Sequence, residues 1–393
     1  MTREVVIVSA VRTAIGGFGG SLKDVPLGEL AAQVVKEAVR RADIAPEAVE
    51  SVICGNVIRT EPHDAYLARV AALKAGLSKD SQCLTVNRLC GSGLEAIVLA
   101  AQQIQLGEIE VAVAGGAESM SRSAYHIPAA RWGQRMGDAQ ILDEMTWVLT
   151  DPFGNGHMGV TAENIAAEHG ISREEQDAFA AESHRRAANA IAQGYFKDQI
   201  LPIELKTREG VTVFDTDEHV RQNVTAESLA GLRPAFKKDG TVTPGNASGI
   251  NDGASMVVVM DRERAEREGR KPLARIVSYA RAGVDPRVMG LGPIPAVKRA
   301  LDRAGLSVAD IDVIESNEAF AAQACAVTKA LGFPPEKVNP NGGAVALGHP
   351  VGASGAIITT KALYELHRTG GRYGLATLCI GGGQGIAAVF ERL

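Results

Sequence analysis

The sequence contains no Cys-x-x-Cys pair. Its five cysteines stand alone at 54, 83, 90, 325 and 379, which leaves little ground for a zinc site or a thioredoxin-like redox pair. An odd number of scattered thiols suits a reducing compartment. Long runs of one charge are also missing, and 41 basic residues against 46 acidic ones give a net charge of −5. Nucleic-acid binding therefore has no compositional support, although local basic groups could still hold an anionic ligand. No signal-peptide pattern precedes the β-rich run that follows Met1-Thr2-Arg3-Glu4, and no apolar stretch is long enough to span a membrane. A soluble cytoplasmic protein is expected.

What is present points to a compact α/β protein. Its 393 residues, 46% hydrophobic with 43 glycines, suit two or three domain-sized units joined by many tight turns. Near-continuous apolarity predicts buried strands at 4–11, 51–58 and 109–114, with helices at 27–41 and 66–75 between them. This β-α-β-α-β order argues for a layered unit with a mostly parallel sheet. From 119 the texture becomes irregular, then polar and helical over 162–195, then rich in glycine and proline over 233–251. The remainder repeats the opening texture, with strands at 273–280, 311–315 and 373–379 and helices at 293–304 and 355–366. Val86-Asn87 recurs as Val338-Asn339, each ahead of a glycine-flanked serine (Gly91-Ser92-Gly93 and Gly352-Ala353-Ser354-Gly355), a helix and a strand that ends in a glycine cluster (Gly115-Gly116 and Gly381-Gly382-Gly383). Two related halves follow. The expected division is a first core of 1–118 plus 250–271, an inserted loop or lid domain of 119–249, and a second core of 272–393.

Four segments carry chemistry. In Leu84 to Ile97 an apolar lead turns through Gly91-Ser92-Gly93 into a helix, with Cys90 at the junction. Helix-start N–H groups and the helix dipole would favour thiolate there. The same stretch fits the G-x-G-x-x-[GA] dinucleotide pattern at Gly91, Gly93 and Ala96, with Glu108 and Glu110 downstream. That match follows two strands where a nucleotide fold would open with it. Gly348-His349-Pro350-Val351-Gly352 places an imidazole among glycines, a natural base for a thiol. Cys379-Ile380-Gly381-Gly382-Gly383 puts a second thiol at a strand end before N–H groups able to bind an oxyanion. Asn317, in Glu315-Ser316-Asn317-Glu318-Ala319-Phe320, could donate to a carbonyl or orient a water, or serve only as a turn or capping residue.

Together and in this order these motifs resemble the thiolases, the acyl-CoA acetyltransferases that form or cleave 3-ketoacyl-CoA. The resemblance covers essentially the whole chain. It implies two similar halves stacked as a five-layered α/β/α/β/α core with an inserted loop domain. It also implies a homo-oligomer, a tetramer or a dimer, with 122–140 where a tetramerisation loop would lie. By that resemblance Cys90 carries the acyl group as a thioester, His349 activates Cys90, and Cys379 removes the α-proton of the incoming acetyl-CoA. The backbone N–H groups of Cys90 and Gly381 would form one oxyanion hole, and His349 with a water held by Asn317 the other. Leu149, His157, Met158, Met289, Ala319 and Phe320 would line the acyl and pantetheine tunnel, while Arg221, Ser228 and Ser248 would meet CoA. CoA and acyl-CoA are substrates, so no cofactor or metal is implied.

Gly156-His157-Met158-Gly159 and Met289-Gly290-x-Gly292-Pro293 look like the short-chain members. Acetoacetyl-CoA or a slightly longer 3-ketoacyl-CoA is the expected substrate. Two positions depart from close relatives: Pro244 and Ser316 each stand where alanine is frequent, and Pro244 lies in the loop expected to meet pantetheine. Three rivals remain for comparison. They are a dinucleotide-dependent oxidoreductase using Gly91 to Ala96, a non-catalytic acyl-CoA binding protein, and a ketoacyl synthase type of condensing enzyme, whose further histidine or asparagine arrangement is not seen in place of the Cys379 segment.

Overall fold

A computed structural model describes residues 3–208 and 210–393. In chain order its main elements are β1 (Val5–Thr13), α1 (Leu27–Ala42), β2 (Ser51–Gly55), α2 (Leu67–Lys74), β3 (Gln82–Val86), α3 (Ser92–Gln105) and β4 (Val111–Ser119). Then come α4 (Met158–His169), α5 (Arg173–Ala192), β5 (Asn251–Asp261), β6 (Ala274–Gly283), α6 (Pro293–Ala304), β7 (Val313–Ser316), α7 (Ala321–Leu331), α8 (Ser354–Thr369), β8 (Tyr373–Ile380) and β9 (Gln384–Arg392). The strands run in the order β7-β8-β9-β6-β1-β5-β4-β2-β3. The two halves meet where β1 and β6 pair antiparallel, through Val6 with Arg275 and Ile7 with Ala274.

Alternation along the strands builds the layers. In β1 the side chains of Val6, Val8 and Val11 join a core with α1 and α2, while Val5, Ile7 and Ala10 face the other way. That inner face packs with Leu94, Ile97 and Ala101 of α3 and Ile358 and Leu363 of α8. Beyond them Ile380, Ile386 and Phe390 present the inner face of the second half. Its outer face, with Leu375, Ala387 and Val389, is covered by Ala296, Ala300 and Leu301 of α6 and Val327 of α7. The result is a five-layer α/β/α/β/α stack with α3 and α8 in the middle.

The two inner helices cross almost backbone to backbone. A Cβ on Gly93 would lie 2.8 Å from the backbone N of Ala356, and one on Gly355 would run into the backbone N of Leu94. The glycines of the two motifs therefore set the helix crossing as well as the turns beside it. The halves share a finer mark. Each central strand has a register shift, at Ile7/Ser9 and at Ile276/Ser278. After each, the serine donates to its outer helix, Ser9 Oγ to Ala38 O and Ser278 Oγ to Ala300 O, both at 2.7 Å. The isolated parallel bridge of Ile314 with Val338 stands where β3 pairs in the first half.

Two expectations change. The sheet is not mostly parallel: only β2–β3, β2–β4 and β7–β8 are parallel pairs on the main path. After the excursion β5 returns antiparallel between β1 and β4, and β8 turns straight back into β9. Gly115 and Gly116 do not end a strand, because β4 runs through them to Ser119. A side chain there would strike Ser255 O and Gly352 O, so these glycines are demanded by close approach. Gly382 and Gly383, with φ of +79° and +85°, do form the β8–β9 turn.

Candidate active site

The Cys90 turn is held by its own side chains. Asn87 Oδ1 accepts from Leu89 N at 2.9 Å and holds Leu89 in a left-handed conformation, φ +46°. Ser92 Oγ donates to Leu89 O at 2.7 Å and accepts from Arg88 N at 2.8 Å. A bulky residue at positive φ is costly, and such strain persists only where neighbours enforce it. The clamp presents Cys90 one turn ahead of α3, with its own N–H and that of Gly381 directed at the sulfur.

These donors do not leave a resting thiolate. Burial outweighs them and pushes the Cys90 thiol up to about 11, with the nearby Glu118 charge adding to the rise. The expected lowering by backbone N–H groups is present, but burial exceeds it. Cys379, at the end of β8, is fully buried and lies close enough to Cys90 for a charge there to raise it further.

His349 follows the same logic in the second half. Its backbone N donates to Asn251 Oδ1 at 2.9 Å, and its Nδ1 lies 2.6 Å from Ser354 Oγ. Ser354 spends its only hydroxyl hydrogen on Pro350 O at 2.9 Å, so it must accept from Nδ1–H. The imidazole is therefore the Nδ1–H tautomer, and Nε2 is an acceptor with a long 3.4 Å contact from Asn317 Nδ2. Burial lowers His349 to about 4, which keeps Nε2 a free base near neutrality. The turn is tied to the first half by Glu118, buried on β4, whose carboxylate accepts from Gly352 N, Val57 N, Ile58 N and Asn56 Nδ2.

These groups surround one narrow cavity. Cys90, His349, Gly381, Leu149, Met158, Ser248, Met289, Ala319 and Phe320 line it. Sequence reasoning missed three further wall residues, Leu89, Val148 and Val351. Leu89 and Val351 adjoin the motif residues Cys90 and Pro350, so motif adjacency was the available signal. Ser248 is brought in because its N donates to Ala319 O at 3.0 Å and Ala247 bridges Phe320. Asn317 and Cys379 sit against the cavity residues without lining it.

Four expected positions lie elsewhere. His157 caps α4, accepting from Gly159 N at 3.0 Å, and stacks on Phe236 at 4.7 Å. Arg221 and Ser228 are exposed, and Ser228 Oγ donates to Thr225 O in a helix cap. Pro244 is exposed and is not among the cavity-lining residues. Among the described residues no group of three or more His, Cys, Asp or Glu side chains could hold a metal ion, and no helix is long and apolar enough to cross a membrane.

A thiol, a free imidazole base, a second thiol and aimed N–H groups suit covalent transfer at a carbonyl. Comparison with known proteins agrees. The models of the thiolase N-terminal and C-terminal domains match residues 5–263 and 270–392. Beta-ketothiolase BktB of Cupriavidus necator is 64% identical over 394 positions, covering 100% of both chains. The crystal structure of the Bacillus anthracis acetyl-CoA acetyltransferase superposes with a TM-score of 0.98 at 51% identity, over 100% of this chain and 99% of that one. Human mitochondrial 3-ketoacyl-CoA thiolase in complex with CoA gives 0.97 at 45% identity, over 100% and 98%. The chain belongs to the thiolase family.

Proposed function

We propose that the protein is an acetyl-CoA acetyltransferase of the β-ketothiolase kind. It joins acetyl-CoA to a short acyl-CoA and, in reverse, cleaves the 3-ketoacyl-CoA with CoA. The observation that supports this reading is that a clamped thiol, Cys90, and an imidazole with an unprotonated Nε2, His349, line the same apolar cavity. Cys90 gives its proton to His349 Nε2 as the sulfur attacks the thioester carbonyl. The carbonyl oxygen takes up negative charge against the N–H groups of Cys90 and Gly381. CoA then leaves as the thiol with that proton, and the acyl group stays on Cys90.

Cys379 passes its proton to His349 Nε2, and the thiolate so formed takes an α-proton from a second acetyl-CoA, whose enolate oxygen is held by that Nε2–H and by a water on Asn317. The carbanion attacks the acyl-Cys90 carbonyl, and the Cys90 sulfur departs. The departing Cys90 sulfur takes from His349 Nε2 the proton that Cys379 had shed, which restores both thiols and the neutral imidazole. Leu149, Met158, Met289 and Phe320 make the acyl wall apolar, while the pantetheine and nucleotide extend past Ser248 towards His157, Arg221 and Ser228.

Parallel lines in double-reciprocal plots of thiolysis are the expected kinetic pattern. A panel of four-, five-, six-carbon and longer 3-ketoacyl-CoAs should show its best turnover at four or five carbons. Intersecting lines, or a preference for long chains, would contradict the reading. Each added methylene changes the fit by only ~1–3 kcal/mol, so the decline with length should be graded.

A pH profile follows from the two groups. With His349 near 4 and Cys90 near 11, the resting pair is uncharged thiol and neutral imidazole through neutrality. The acylation rate is expected to be flat from about pH 5 to about pH 9 and to fall only as Nε2 is protonated towards pH 4. A fall centred near 6.5, the ordinary imidazole value, would show His349 to be solvated. We also read the protein as a cytoplasmic homo-oligomer, a tetramer in preference to a dimer. Exposed Tyr125, Trp132, Met136, Ile141 and Trp147 offer an apolar surface for a second copy. The division at 118/119, 249/250 and 271/272 is kept as the domain assignment.

A further inference from the structure

Beside Asn317 and Ser354 lies a second, much smaller cavity of about 10 Å³, lined in part by Glu315, Gly343 and Lys361. That is the volume one water molecule requires. Lys361 of α8 and Glu315 of β7 are an ion pair at 2.7 Å with side chains 3% and 1% exposed. Lys361 Nζ also donates to Gly342 O at 2.6 Å. An ammonium has three N–H bonds, and these two contacts leave one over. Glu315 Oε1 has no partner among the described residues. Burial outweighs Lys361 and raises Glu315 to about 7, the mark of a carboxylate short of donors.

The position of this pair matters. Glu315 precedes Asn317 by two residues at the end of β7, and Gly342 begins the loop that leads to His349. One buried cation thus fastens both segments that bring Asn317 and His349 to 3.4 Å. Ser354, which fixes the His349 tautomer, lines the same small cavity.

We propose that Glu315 and Lys361 hold a single water molecule in this cavity and are positioning residues for the Asn317–His349 pair. The water donates to Glu315 Oε1 and accepts the third Lys361 N–H. The pair sets the spacing of the enolate-binding groups from behind, without touching substrate. This inference rests on the roles given above to Asn317 and His349.

The test compares Lys361→Met with the double variant Glu315→Leu/Lys361→Met. The single change strands a buried carboxylate and is expected to lower the melting temperature, whereas removing both charges restores it. In the restored double variant, kcat for condensation is expected to stay about tenfold or more below the parent, with KM for acetyl-CoA within about twofold. A merely structural pair would regain kcat together with stability, and that result would overturn the proposal. A high-resolution crystal structure of the unaltered protein gives a second readout that does not depend on any variant folding. A water within hydrogen-bond distance of Glu315 Oε1 is expected, and a dry cavity contradicts the proposal. Cys90→Ser assayed alongside keeps the two readings apart, since turnover there would sink the acyl-enzyme reading and leave the Lys361 result to stand on its own.

Discussion

Cys90→Ser is expected to give a folded protein that no longer transfers acyl groups. The turn around residue 90 is clamped by Asn87 and Ser92, not by the thiol, and oxygen replaces sulfur with little change of shape. Secondary structure and melting temperature should therefore stay near the parent values. The chemistry has no such reserve. A serine hydroxyl is far harder to ionise than a thiol, and His349 is a weak base with a value near 4. Loss of a nucleophile that works as a unit with its base typically removes ~10⁴-fold or more of the rate. Thiolysis of acetoacetyl-CoA by the variant should fall by at least that factor, and turnover near the parent level would contradict the assignment of Cys90.

Cys379→Ala should separate the two halves of the reaction. Cys379 is wholly buried and packs with Met158, Ala319 and Phe320 behind the cavity. It is not needed for the attack of Cys90 on a thioester, which uses His349 and the N–H groups of Cys90 and Gly381. Acetyl-CoA should still acylate the variant at a rate within about tenfold of the parent, whereas condensation should drop by ~10³-fold or more, since proton transfer in the transition state contributes ~10²–10⁴-fold. Rapid-quench measurement of the acyl-enzyme beside steady-state condensation gives both numbers. Loss of acylation in this variant instead would exchange the roles of the two thiols.

Much of this site was legible because it is written in short local motifs. The turn at Cys90, the imidazole among glycines and the thiol before a triple glycine each stand out in a few residues. Their order along the chain already told against the dinucleotide reading of Gly91 to Ala96. What local pattern could not carry was the long-range part. Gly115 and Gly116 look like punctuation in sequence, yet they sit inside β4 because Ser255 and Gly352 crowd them. The raised Cys90 thiol depends on burial and on Glu118, neither visible in the turn itself. Ser354 was seen as part of a motif, but its grip on the His349 tautomer needs Pro350 O as a third partner. His157 shows another side of this, because its cap of α4 and its stacking on Phe236 cannot be read from the motif beside Met158. The Glu315–Lys361 pair joins positions 46 residues apart, with no motif to announce it.

The central claim is that acyl groups pass through the Cys90 sulfur. It is tested most directly by mixing the unaltered protein with acetyl-CoA labelled in the acetyl group, quenching with acid and mapping the peptides. The account predicts one acetyl group per active site, on the peptide carrying Cys90 and released by hydroxylamine as a thioester. An acetyl group on the Cys379 peptide, or a protein that turns over with no covalent acetyl at all, would contradict it.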